Sequence, residues 1–178
     1  LAAFTSVKCL GYSEDQIIPF LAKLSPPPGR MQQLENSHIW IDYAHTPDAL
    51  DNALASLRTH YPEFKIRVLF GRGGDRDKTK RQLMGKIASE NADSIILTND
   101  NPRNESSEKI IEDILGGIKV ENDVQVILDR KHAIETAVKT LGEDEVLLIA
   151  GKGHETTQTI GDQIFQFSDI EVALDAFI

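Results

Sequence analysis

Between residues 38 and 150, short apolar runs alternate with longer stretches in which apolar residues return every three or four positions. The runs "HIWID", "KIRVLF", "SIILT", "VQVIL" and "EVLLIA" have the length and character of strands. Between the first two, Thr46-Pro47 offers an N-cap and a proline at the first helical position. Ala49, Leu50, Ala53, Leu54 and Leu57 then share one helical face. "TKRQLMGKIASEN" predicts a second helix. Residues 106–117 predict a third, striped by Ile110, Ile111, Ile114 and Leu115. Asp129 opens a fourth, carrying Ala133, Ile134, Ala137, Val138 and Leu141. Five strands alternating with four helices imply an α/β fold, a mostly parallel sheet with helices on both faces.

The flanks follow other rules. Residues 1–24 predict two short helices, apolar on more than one side, of the kind that packs against something else. Ser25-Pro26-Pro27-Pro28-Gly29 cannot continue a helix and marks a stiff connector and a domain boundary. After residue 155, "TTQTIGDQIFQF" alternates around Gly161-Asp162 and predicts a C-terminal β-hairpin, and "SDIEVALDAFI" a final capped helix.

The 178 residues suffice for one ordinary core. A net charge of −9 argues against a nucleic-acid or membrane-surface partner. No apolar run approaches the roughly 20 residues of a membrane span, and the start lacks a leader pattern. The single cysteine, Cys9, excludes an internal disulfide and fits a cytoplasmic location. The chain begins at Leu1, which is expected of a piece of a longer polypeptide.

In parallel sheets, ligands sit beyond the carboxyl ends of the strands. Four loops expected at that edge are unusual: "DYAHTPDAL", "GRGGDRDKTKR", "NDNPRNE" and "GKGHETT". The loop after the fourth strand, "DRKH", reads as simple capping. In the second unusual loop, Gly71, Gly73 and Gly74 permit positive φ and close backbone approach. Its five basic side chains (Arg72, Arg76, Lys78, Lys80 and Arg81) against Asp75 and Asp77 leave a local charge of +3. With the helix N-terminus that follows, it suits a phosphate or carboxylate, although a solvated basic helix start has the same composition. It is not a Walker-type loop, because neither Gly-Lys pair has a glycine at the required spacing. In the third loop, Asn101 and Pro102 are explained by a turn. Arg103 is not: its planar fork suits a carboxylate, either of a ligand or of Asp100. In the last, Gly151 and Gly153 give a pliable backbone, Glu155 can receive an amine and His154 can act as a base or simply hydrogen-bond. The five histidines are scattered, with no pair at metal-ligand spacing, so no metal site is expected within the chain. These residues describe an edge suited to a small zwitterion, beside a phosphate.

Taken in series, "DYAHTPDAL", "GGDRDKTKR", "DNPR" and "GKGHE" resemble the Mur ligases, ATP-dependent amide ligases of peptidoglycan synthesis, over essentially the whole chain. The resemblance implies a Rossmann-like C-terminal amino-acid-binding domain over residues 30–178. It also implies that residues 1–29 are the tail of a central ATPase domain and a linker. It places the chain on the branch that adds meso-diaminopimelate to UDP-N-acetylmuramoyl-L-alanyl-D-glutamate, supporting cell-wall biogenesis, cell shape and division. ATP and Mg2+ are the implied cofactors, held mainly by the central domain, whose phosphate loop has no counterpart here. Carried over, Arg103 would hold the distal carboxylate of diaminopimelate, with Asp100 and Asn101 on a turn stiffened by Pro102. Arg76 would hold the other carboxylate, and Gly151 and Glu155 the distal ammonium. Arg30, Asp42 and His45 would lie on the nucleotide side. A strand-end cap accounts equally for Asp42, and a solvated linker position for Arg30. The alternatives are a lysine-adding or folylpolyglutamate-type ligase domain, which Arg103 disfavours, and a stand-alone amino-acid-binding module.

Overall fold

The computed structural model describes residues 2–21, 23–24 and 27–177. Ser25 and Pro26 of the proline-rich connector lie outside the described residues. The two N-terminal helices are α1 (Ala2–Cys9) and α2 (Glu14–Leu21).

A six-stranded sheet follows. It comprises β1 (Gln32–Gln33), β2 (Ile39–Asp42), β3 (Lys65–Phe70), β4 (Ser94–Leu97), β5 (Asp123–Val126) and β6 (Glu145–Ala150), in the order β1-β2-β6-β3-β4-β5. All neighbours are parallel except β1, which pairs antiparallel with β2 at the edge. β1 is a two-residue strand, too short for any periodicity to announce it. The last strand of this sheet in sequence, β6, slots between β2 and β3, with Ile149 opposite both Ile41 and Leu69.

That insertion follows from where the helices run. α3 (Pro47–His60), α4 (Thr79–Asn91) and α5 (Ser107–Leu115) cover one face. α6 (Arg130–Lys139) and α7 (Asp169–Phe177) cover the other. Successive strand side chains alternate between faces. Ile66, Val68, Phe70, Val146, Leu148 and Ala150 pack under α3–α5, whereas Leu69, Ile96, Leu147 and Ile149 pack under α6 and α7. Burial on both faces is why these strands are nearly continuous apolar runs. Thr46 and Asp129 cap α3 and α6 through their side chains, as the sequence leads one to expect, and Ser106 caps α5 in the same way. The hairpin, β7 (Thr157–Ile160) with β8 (Gln163–Gln166), forms a separate two-stranded sheet. Among the described residues, no helix is long and apolar enough to cross a membrane.

Candidate functional site

The loops after β2, β3, β4 and β6 meet at one edge and interlock by backbone contact. Gly74 shows why glycine is required in the basic loop. A Cβ there would stand 1.9 Å from the carbonyl oxygen of Pro102, and the Gly74 N–H donates to Asn101 O at 2.9 Å. The three loop glycines are thus used for close approach; the left-handed backbone falls on Asp75, at φ 54°. Arg103 also has positive φ, 51°. It is fixed there by an isolated parallel bridge to β7: its N–H donates to Thr159 O at 3.2 Å, and its carbonyl accepts from Gly161 N at 2.8 Å.

Between these loops lies a cleft of ≈ 280 Å³. Six of the seven residues expected at the amino-acid site line it: Arg76, Asp100, Asn101, Arg103, Gly151 and Glu155. Pro102 is buried behind them. Arg103 donates from Nη1 to the carbonyls of Gly74 (2.9 Å) and Asn101 (3.4 Å), not to Asp100. Among the described residues, neither Arg103 nor Arg76 forms a salt bridge. The local +3 of the basic loop is partly consumed elsewhere. Arg81 is fully buried and paired with Glu105 and Asp113, and Lys78 also reaches Glu105. The Arg81 hydrogen bond, above all, holds the Glu105 carboxyl down at about 2.

The acidic side of the cleft is organised by a residue whose burial the sequence did not announce. Lys152 is 0% exposed. Its Nζ donates to Glu155 Oε2 at 3.0 Å and Asn101 Oδ1 at 3.2 Å, and lies 3.7 Å from Asp100 Oδ1. Asn101 donates from Nδ2 to Glu155 Oε2 at 3.2 Å, and its Oδ1 also accepts from Thr159 N. Burial would raise the Glu155 pKa, but the Lys152 hydrogen bond and charge, with Asn101 and Tyr43, outweigh it and leave it lowered. Asp100 Oδ1 is buried without a hydrogen-bond partner. Gly151, at φ +118°, permits this crowding: a Cβ there would lie 3.3 Å from Asp100 Oδ2.

Beneath the cleft lies a second buried cation. Asp129 caps α6 as expected, but the "DRKH" loop does more than cap. Arg130 is 1% exposed and forms a bidentate pair with the fully buried Asp169 of α7, at 2.8 and 2.7 Å. Its remaining donors go to Asn99 O (3.2 Å) and Ala150 O (3.0 Å), the residues preceding Asp100 and Gly151. Arg72 is buried as well and donates to the His45 carbonyl; burial lowers its pKa, with the Asp100 charge opposing.

Two of the three residues expected on the nucleotide side, Arg30 and His45, gather around Tyr43. The Arg30 guanidinium lies over the Tyr43 ring at 4.4 Å, and the His45 ring is 4.5 Å from it, centroid to centroid. His154, from the last loop, packs on Tyr43 at 5.4 Å. Asp42 accepts the Met31 N–H at 2.7 Å, which gives it a structural task at the strand end. Among the described residues, no group of three or more His, Cys, Asp or Glu side chains is placed to hold a metal ion.

A family model described as Mur ligase, glutamate ligase domain, matches residues 29–153. The chain belongs to the Mur ligase family. This Mur ligase chain is 49% identical over 180 residues to the UDP-N-acetylmuramoyl-L-alanyl-D-glutamate--2,6-diaminopimelate ligase of Coxiella burnetii, covering 99% of this chain and 37% of that protein. It is 44% identical over 173 residues to the ligase of that name from Rickettsia conorii, with 97% and 36% covered. A solved structure bearing that name superimposes with a TM-score of 0.79 at 37% identity, over 99% of this chain and 37% of the other. A folylpolyglutamate synthase from Thermotoga maritima shares the fold, with a TM-score of 0.60 at 22% identity, over 84% and 34%. The Mur ligase chain therefore spans somewhat more than a third of the length of the curated relatives it matches.

Proposed function

We propose that the chain is the C-terminal amino-acid-binding domain of a cytoplasmic, ATP-dependent ligase that joins meso-diaminopimelate to UDP-N-acetylmuramoyl-L-alanyl-D-glutamate. Residues 1–29 then end the preceding ATPase domain and link it to this one. The observation that carries the reading is the charge layout of one small cleft. Arg76 and Arg103 stand in it without a salt-bridge partner among the described residues, beside a cluster of Asp100, Asn101 and Glu155. Its volume is at the lower end of the ~300–1,000 Å³ usual for ligand sites, as suits a single amino acid. The names carried by the relatives point to the same ligand.

In this reading Arg103 takes the distal carboxylate through its free guanidinium N–H groups and Arg76 the other carboxylate. Asp100 and Glu155, with the backbone of Gly151, receive the distal ammonium. The other amine is left facing the interdomain space as the nucleophile. ATP, a substrate, supplies the phosphoryl group that activates the acceptor carboxylate. The Arg30–Tyr43–His45 patch offers a cation and aromatic faces beside the cleft, which fits one side of a nucleotide. In this reading Mg2+, which takes one or two carboxylates together with the nucleotide phosphates, is held mainly by the preceding domain. The contribution of this domain is then to hold the attacking amine in place and orientation, an effect of proximity.

Lysine lacks the second carboxylate and would leave Arg103 unmatched, a penalty larger than that of an absent methylene. The test is a titration of the chain with meso-diaminopimelate and, separately, L-lysine, followed by backbone amide NMR shifts. Shifts at Arg76, Asp100, Asn101, Arg103 and Gly151–Glu155 with diaminopimelate alone are expected. An equal response to lysine refutes the assignment of substrate.

A further inference from the structure

Lys152 is a fully buried cation behind the acidic wall of the cleft, and its surroundings are those of an internal counter-ion. An ammonium has three donors; two are used, on Glu155 and Asn101, and the third side of Nζ faces Asp100 Oδ1 at 3.7 Å. Asp100 and Asn101 follow β4, whereas Lys152 and Glu155 follow β6. Nζ is the point at which the two loops meet. It also fixes the orientation of the Asn101 amide, because Oδ1 turns toward the ammonium and Nδ2 is thereby presented to Glu155. The charge balance is equally specific. Arg130 is already matched by Asp169. Lys152 then stands against the two cleft carboxylates, Asp100 and Glu155, with Arg72 also close enough to Asp100 for their charges to couple.

We propose that Lys152 is a positioning and specificity-determining residue of the amino-acid cleft. Acting through Asp100, Asn101 and Glu155, it adds one fixed positive charge beside the two carboxylates, so that the cleft prefers an amino acid whose distal ammonium is balanced by a distal carboxylate over one with net positive charge. This deepens the amino-acid-ligase reading above and rests on it. Removal of the ammonium leaves two adjacent carboxylates to repel each other, takes one of the two donors from Asn101 Oδ1, which keeps the Thr159 N–H at 2.9 Å, and makes the cleft more attractive to a cationic ligand such as lysine.

The experiment uses the full-length polypeptide and two variants, Lys152→Met, which removes charge and donors, and Lys152→Gln, which keeps donors without charge. The wild type is assayed first for ATP consumption dependent on meso-diaminopimelate and UDP-N-acetylmuramoyl-dipeptide; its failure there refutes the ligase reading, not the role of Lys152. Given wild-type activity, KM for diaminopimelate is expected to rise at least about tenfold in both variants, as for the truncation of one partner of a buried charge pair. KM for ATP should stay within about threefold, and the kcat/KM preference for diaminopimelate over L-lysine should fall at least about fivefold. A diaminopimelate KM within threefold of wild type overturns the proposal. So does an equal loss toward both amino acids, and so does the absence of a cooperative melt in both variants, which would assign Lys152 to the fold alone.

Discussion

Replacement of Asp169 by alanine gives the sharpest test of the electrostatics beneath the cleft. Arg130 and Asp169 are both fully buried and joined by two hydrogen bonds of 2.8 and 2.7 Å. Loss of one partner of such a pair costs about 3–5 kcal/mol, because the other charge stays buried. Arg130 keeps the Asn99 and Ala150 carbonyls as acceptors, which argues for the lower part of that range. For a chain of this length each kcal/mol is worth roughly 2–4 °C, so Asp169→Ala should lower the melting temperature by about 6–12 °C. Asp169→Ala should also move the amide resonances of Asp100 and Gly151, which follow those two carbonyls. The double replacement Arg130→Met with Asp169→Leu removes both charges and should recover most of the loss, since well-packed apolar replacements of buried ion pairs are near neutral or better. Thermal and urea unfolding followed by circular dichroism measure all three variants. A melting temperature within about 2 °C of wild type for Asp169→Ala, or additive losses in the double variant, would show that the pair is not holding the structure.

Three further outcomes are expected. Arg103→Ala should raise KM for diaminopimelate roughly 10- to 150-fold, the value of charge-assisted hydrogen bonds, and leave KM for ATP nearly unchanged; steady-state kinetics of the full-length enzyme decide it. Gly74→Ala forces the basic loop away from the Pro102 carbonyl, 1.9 Å from the new Cβ, and should weaken diaminopimelate binding about tenfold or more, as calorimetry can measure. Glu105 has a folded pKa of about 2 against an ordinary value of 4.5, so its pairing with Arg81 stabilises the fold above pH 4.5 and is lost as pH falls toward 2. Acid titration should therefore show a stability loss in that window that Glu105→Gln removes.

The alternation of apolar runs and amphipathic stretches was enough to read the parallel sheet, because each strand such as "EVLLIA" is buried on both faces and says so in its composition. The caps at Thr46 and Asp129 are local chemistry, legible from the residues themselves. The Lys152 and Arg130 arrangements are not local. A lysine between two glycines reads as solvated, and an arginine after a capping aspartate reads as helix surface; both are buried because Asp100 and Asp169 arrive from distant points of the chain. The basic loop misleads in the same way. Its charge suggests an anion site throughout, yet Arg81 and Lys78 spend theirs on Glu105, more than twenty residues on. The left-handed backbone of Arg103 has no sequence signal, since its cause is the bridge to β7.

That bridge limits how the specificity of such a domain can be moved between proteins. The 100–103 turn is held from outside by Thr159, Gly161 and the Gln158 side chain, which donates to Asp100 O at 2.8 Å. Arg103 stays in an uncommon conformation, which costs of order 1–3 kcal/mol, only while those contacts persist. A graft of these four residues into a ligase with a different hairpin would carry the letters without the shape. The transferable cassette is the turn together with residues 151–161, two pieces distant in sequence that must be exchanged as one.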